Sequence, residues 1–249
     1  MNSILITGCS SGFGLETAKL FLERGWSVIA TMRTPDPGVL PASPNLKILP
    51  LDVTDPGSIA AVIEAAGPID ALVNNAGIGV LGALEGIPMA TARDVFETNT
   101  LGTIAMTQAV LPGFRARGAG VIVNVTSSVT LLPLPLLAVY TASKAAVNAF
   151  TWSLMHELQP FGLRARVVLP GRAPSTKFGE NARSRMDGSI PEAYAPLAKE
   201  IFAAWEGPGP ITEAADVAEG VWRAVTDPDA EMEIAAGADA VELAARKAA

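Results

Sequence analysis

Short apolar runs alternate along the chain with longer segments in which apolar positions recur every three or four residues. The runs cover residues 3–7, 27–31, 46–51, 71–73, 120–125, 164–169 and 232–235. They are rich in Val, Ile and Leu, and few of them alternate with polar residues. Strands buried on both faces of a parallel sheet read this way. The intervening patterns predict helices over 12–24, 56–66, 90–117, 141–161 and 213–227. Strand–helix alternation implies right-handed crossovers. The predicted fold class is therefore α/β: a Rossmann-like doubly wound parallel sheet of about seven strands flanked by helices. No repeat or linker divides the chain, so 1–249 reads as one domain. Residues 172–211 break the rhythm with many Gly, Pro and charged residues and a helix pattern near 192–205. Such an insertion after a strand suits a substrate lid, or else a variable surface excursion.

Charge and cysteine content narrow the partners. The 249 residues carry a formal net charge of -7. That argues against a nucleic-acid backbone and against an anionic membrane surface. Cys9 is the one cysteine, so no internal disulfide can form. The N-terminal residues lack a basic stretch followed by an apolar one, and the greasy run 131–140 is cut by Pro133 and Pro135. These features predict a cytoplasmic protein without a secretory leader or a membrane span. His156 is the one histidine and has no Cys or second His to form a metal set, so no metal is expected.

Directly after the first predicted strand comes Thr7-Gly8-Cys9-Ser10-Ser11-Gly12-Phe13-Gly14, and then a helix. Glycines there let backbone approach a charged ligand, and the helix N-terminus offers free N–H groups to a pyrophosphate. The spacing is Gly-x-x-x-Gly-x-Gly rather than the commoner Gly-x-Gly-x-x-Gly. Farther on come Asp52, Asn74-Asn75-Ala76-Gly77, Asn99, Ser127, Tyr140-Thr141-Ala142-Ser143-Lys144 and Pro170-Gly171. In this order and with this spacing, the sequence resembles the short-chain dehydrogenase/reductase family. The Tyr-x-x-x-Lys and Asn-Asn-Ala-Gly elements are the most specific to it.

The resemblance implies a nicotinamide dinucleotide held by Gly8, Ser10, Ser11, Gly12, Phe13 and Gly14. It implies that Asp52 and Val53 flank the adenine, and that Asn74, Ala76 and Gly77 line the cofactor. It assigns Ser127 to the substrate oxygen and Asn99 to a water in the proton relay. Tyr140 and Lys144 would serve both catalysis and cofactor binding, the lysine holding the nicotinamide ribose. Pro170, Gly171, Ala173 and Ser175 would face the nicotinamide end. Ala173 stands where the family usually has a β-branched residue, yet it keeps the backbone N–H. Ser175 takes the position of the usual threonine, unless Thr176 substitutes.

Two readings rest on the residues' own chemistry. Tyrosine is a poor acid–base near neutrality unless a neighbour shifts it. Tyr140 and Lys144 lie four apart in a helical segment, hence about one turn apart on one face. That places a cation beside the phenol. The second concerns the end of the second strand, where an acid would bind the adenosine ribose hydroxyls. Counting from Gly25, the resemblance puts that acid at Met32, and the next residue is Arg33, whose guanidinium suits a 2′-phosphate. NADP(H) is therefore expected ahead of NAD(H). Asp36 is flanked by Pro35 and Pro37 and reads as loop. Asp52 could also be a helix cap, although Thr54 or Asp55 could do that instead.

Leu131, Leu132, Leu134, Leu136 and Leu137 follow Ser127 and suggest an apolar pocket wall, a core contact or a subunit contact. Phe178, Met186, Tyr194, Phe202 and Trp205 give 172–211 an apolar character. The expected substrate is an apolar ketone, aldehyde or secondary alcohol. Gly237-Ala238-Asp239-Ala240 resembles family branches with hydrophobic substrates. The long helices over 90–117 and 141–161 commonly pair between subunits of the family, so the resemblance implies a homodimer or homotetramer. Three functions remain open: an NADPH-dependent carbonyl reductase, an NAD-dependent alcohol dehydrogenase, and an idle dinucleotide-binding protein.

Overall fold

A computed structural model describes every residue except Met1, Lys177, Ser184, Asp187 and Ala249. Its strands are β1 (Ser3–Ile6), β2 (Ser27–Met32), β3 (Leu46–Pro50), β4 (Ala71–Asn74), β5 (Val121–Val125), β6 (Arg164–Pro170) and β7 (Glu233–Ala236). They form one sheet in the order β3-β2-β1-β4-β5-β6-β7, with every pairing parallel. Each strand lies within two residues of its predicted run.

The apolar runs divide by period two even though they do not look alternating. Ile4 and Ile6 face one layer with Val28, Val73, Val123 and Val168, under α1 (Gly12–Glu23) and α8 (Ala214–Thr226). Leu5, Ile29, Leu72 and Ile122 face the other. There they meet α2 (Pro56–Ala66), α4 (Gly102–Arg117) and α5 (Ala138–Leu158) through Ile59, Met106, Phe114 and Leu154. Both faces are covered, so both side-chain rows must be apolar.

The caps follow the sequence. Asp55 accepts from Gly57 N at 2.8 Å ahead of Pro56, so Asp55 caps α2 and Asp52 does not. Gly118 ends α4 in the left-handed region. Glu213 and Asp216 form a capping box on α8.

Three predicted helices are refined. The long helix over 90–117 is α3 (Met89–Phe96), a π-helical stretch at Glu97–Leu101, and α4. The π stretch carries Asn99. Helix α5 begins three residues before its predicted start, which places Tyr140 inside its first turn. The 192–205 pattern is a 3-10 turn at Glu192–Tyr194 followed by α7 (Ala195–Glu206). Two helices were not read from the sequence: α6 (Phe178–Arg183) and α9 (Ala238–Ala248). No helix of the described residues is long and apolar enough to cross a membrane.

The strand order reverses between β1 and β4: the chain winds outward from β1 to β3 on one side and from β4 to β7 on the other. Ligands of open α/β sheets bind at that reversal, beyond the carboxyl ends of the strands.

Candidate active site

A cavity of about 840 Å³ opens at the sheet reversal. Its walls include Gly8, Ser10, Ser11, Gly12 and Phe13 from the β1–α1 loop, and Met32 and Arg33 from the end of β2. Asp52 and Val53 line it beyond β3, and Ala76 and Gly77 beyond β4. Ten of the predicted cofactor residues thus converge on one space.

The loop geometry follows from Gly14. A Cβ there would sit 2.4 Å from both Asn75 Nδ2 and the Gly8 carbonyl oxygen. Only glycine lets the first turn of α1 come this close to the β4 loop. Asn75 fastens the approach by donating to Thr7 O at 2.9 Å and Gly8 O at 3.1 Å. Thr7 Oγ1 in turn accepts from Asn75 N and Ala76 N at 3.0 and 2.9 Å. Thr7 and Asn75 are therefore the joint between the two loops, a role the sequence did not reveal. Cys9 lies in the same loop but is buried, and burial pushes its thiol up to about 12.

At the β2 end, Met32 is buried and Arg33 is exposed on the cavity wall. Asp36 turns its own loop by accepting from Gly38 N at 2.8 Å. Asp52 accepts from Thr54 N and Thr54 Oγ1 at 2.9 and 2.7 Å. Those bonds, with a smaller contribution from the Arg33 charge, hold its carboxyl below the usual range.

Asn99 and Lys144 meet beside Gly77, and Tyr140 meets Ser127 at the end of β5. A Cβ on Gly77 would lie 3.2 Å from Asn99 Oδ1 and 3.3 Å from Lys144 Nζ. Tyr140 shares a side-chain hydrogen bond with Ser127, at the end of β5. Lys144 Nζ donates to Val125 O at 3.0 Å. Asn99 Oδ1 accepts from Ile78 N at 2.8 Å, while its Nδ2 donates to Ile78 O at 2.9 Å and Ser143 Oγ at 3.0 Å. Ser143 Oγ donates to the Tyr140 carbonyl at 2.7 Å. The π stretch thus directs Asn99 to brace both the β4 loop and the first turn of α5.

Burial governs the two titrating groups. Tyr140 is 6% exposed and Lys144 5%. Loss of solvent pushes the Tyr140 phenol above its usual range, and the Ser127 hydrogen bond opposes this only in part. The expected lowering by Lys144 is not seen in this arrangement: only the Ser127 hydrogen bond acts against burial. The same loss of solvent brings Lys144 down from 10.5 to about 8.

Several predicted positions lie outside the cavity wall. Asn74 is buried behind it, donating to Thr107 Oγ1 at 3.2 Å and Asn124 Oδ1 at 2.9 Å. Gly14, Asn99, Ser127, Tyr140, Lys144, Pro170, Gly171 and Ala173 do not line it, and Ser175 turns toward Glu213 at 3.3 Å. Thr176 lines it instead. The leucines split up. Leu136 packs with Tyr194 and Phe202 under α7, Leu134 and Leu137 pack beside Tyr140, and Leu132 is exposed. None of them borders the large cavity. Phe178 does border it, with its ring centroid 5.4 Å from that of Tyr140.

Comparison with known proteins agrees with this geometry. The family model of the short chain dehydrogenases matches residues 2–187. The chain belongs to the short-chain dehydrogenase family. It is 39% identical over 213 residues to an uncharacterized oxidoreductase, YusZ, of Bacillus subtilis, covering 80% of this chain and 75% of that one. It is 34% identical over 224 residues to human retinol dehydrogenase 8, covering 80% and 71%. Among solved structures, a short chain dehydrogenase from Burkholderia cenocepacia in complex with NADP superposes with a TM-score of 0.78 at 28% identity, covering 100% and 93%. A short-chain dehydrogenase/reductase from Burkholderia phymatum in complex with NAD gives 0.81 at 25%, covering 98% and 92%. This dehydrogenase is accordingly an oxidoreductase acting on CH–OH or C=O groups, with a nicotinamide dinucleotide as cofactor.

Proposed function

We propose that this dehydrogenase is an NADPH-dependent carbonyl reductase for apolar ketones and aldehydes, able to run in reverse on secondary alcohols. Arg33 carries the cofactor reading. It stands on the cavity wall at the end of β2, where Met32 replaces the acid that would hold the ribose hydroxyls. The cradle made by Gly14 and the N–H groups at the start of α1 fit a pyrophosphate. Gly77, Lys144 and Tyr140 fit the nicotinamide end.

When bound, the cofactor supplies the hydride. The remaining work belongs to the protein. Ser127 holds the substrate oxygen through its hydroxyl, next to the Tyr140 phenol. Tyr140 gives its proton to that oxygen as negative charge develops on it. Burial keeps the phenol protonated, so the proton is in place, and its release depends on positive charge brought beside it by Lys144 and the bound cofactor. Lys144, about one turn along α5, offsets the charge left on the phenolate. Asn99 fixes the backbone on both sides of this group.

The segment 172–211 is proposed as the substrate lid, with Phe178 as its apolar wall. Apolar substrates are consistent with this ring over Tyr140 and with the name of the retinol-acting relative. Phe178→Ala removes about 1 kcal/mol of aromatic contact. A roughly fivefold rise in KM for an aryl ketone is expected, with NADPH affinity within twofold. Unchanged KM values would mean that the ring does not face substrate. Residence in the cytoplasm and assembly as a homodimer or homotetramer complete the proposal.

The cofactor reading is tested by titrating with NADPH and NADH and following nicotinamide fluorescence. A charge-assisted contact contributes about 1.5–3 kcal/mol, so NADPH should bind at least tenfold tighter. Arg33→Ala should erase most of that preference. Tighter NADH binding by the unaltered protein would overturn it and favour alcohol oxidation.

A further inference from the structure

Residues 172 and 212, the two stems of the 172–211 segment, meet at a single carboxylate. Asp239 opens the first turn of α9, beyond β7. Its Oδ2 accepts from Arg172 N at 2.5 Å, and its Oδ1 accepts from Thr212 Oγ1 at 2.6 Å. Thr212 is fully buried. Its hydroxyl oxygen also accepts from Gly171 N at 2.9 Å, and its backbone N donates to Arg172 O at 2.8 Å. The Arg172 guanidinium reaches on to the Trp205 carbonyl near the end of α7.

The close fit requires Gly171. A Cβ there would stand 2.2 Å from the Asp239 carboxylate oxygens. A side chain at 171 and the carboxylate therefore exclude each other. Surface closure of a loop needs no such arrangement; water would satisfy the same N–H groups. A carboxylate brought in from the far end of the chain fixes their direction instead.

We infer that Asp239 is a positioning residue for the nicotinamide end of the cofactor site. It fixes the Arg172 N–H directly and, through Thr212, whose backbone N donates to the Arg172 carbonyl, holds the peptide plane that carries the Ala173 N–H. By joining the two stems it also fixes the plane on which the segment bearing Thr176 and Phe178 leaves the sheet. The inference rests on the nicotinamide-cofactor reading above.

The test compares each dinucleotide with the same molecule lacking nicotinamide: NADP+ against 2′-phospho-ADP-ribose, and NAD+ against ADP-ribose. Asp239→Ala should weaken the better-binding dinucleotide about tenfold and leave its nicotinamide-free fragment within twofold. Asp239→Asn should restore dinucleotide binding to within threefold, because its amide oxygen can accept from Arg172 N while its NH₂ donates to Thr212 Oγ1. Thr212→Val, which removes the shared hydroxyl, should repeat the selective loss even if Asp239→Ala fails to fold. Equal weakening of dinucleotide and fragment, or no weakening of either, would overturn the assignment. A failure of the Arg33 reading looks different: the unphosphorylated pair binds better in the unaltered protein, while the selective loss at Asp239 remains measurable.

Discussion

Tyr140→Phe should lose carbonyl reduction by about 10²- to 10⁴-fold, the range ascribed to a placed general acid, while the protein stays folded. The ring itself is held by apolar contacts with Val80, Ile87, Val95, Val129 and Val139, and by the Phe178 ring. All of these survive the substitution. What disappears is one hydroxyl and its hydrogen bond with Ser127. NADPH affinity should remain within about threefold, since Arg33 and the β1–α1 loop line the cavity and Tyr140 does not. Loss in kcat with retained binding separates a missing proton donor from a damaged fold. A variant with full turnover would show that the proton comes from another group.

Lys144→Met should also abolish useful turnover, by about 10²-fold or more, yet raise stability at neutral pH. The two effects have one cause. Burial brings the lysine from 10.5 to about 8, which corresponds to a cost of about 3 kcal/mol for holding the charge inside at pH 7. Below pH 8 both folded and unfolded chains carry the proton, so that cost is fully present. Between about 8 and 10.5 the folded protein releases the proton while the unfolded chain keeps it. The stability of the unaltered protein therefore rises with pH across that window. Tyr140 works against the top of it, because its phenol, raised by burial, stays protonated after the unfolded one ionises. Denaturant unfolding from pH 7 to 10 should show the rise, and Lys144→Met should flatten it. A methionine variant less stable than the parent at pH 7 would show that the bond to Val125 O outweighs the buried charge.

The sheet was legible because β1, β2, β4, β5 and β6 are buried on both faces and so are apolar at most positions. The catalytic group was legible because α5 sets Tyr140 and Lys144 one turn apart, a spacing visible in sequence. Other features depend on contacts that no local pattern records. The π stretch around Asn99 is only five residues long, too short for a change of apolar period to show in the sequence. The leucines of 131–137 are apolar wherever they point, so composition could not tell the α7 contact of Leu136 from a pocket wall. Asp239 lies 67 residues beyond Arg172 and 27 beyond Thr212; read alone, it was an acid near a glycine. Helix α6 has only six residues, too few for a period to declare itself. Helix α9 is different: its alanine-rich, amphipathic segment has the composition of a helix.

The most direct test of the proposed activity is a single-turnover measurement. The protein is loaded with NADPH, mixed with an excess of an aryl alkyl ketone, and followed by nicotinamide absorbance with product analysis. The account predicts that absorbance is lost and that one equivalent of secondary alcohol appears for each NADPH consumed. Tight NADPH binding with no oxidation across apolar ketones and aldehydes would contradict it, and would make this member of the family an idle dinucleotide-binding protein.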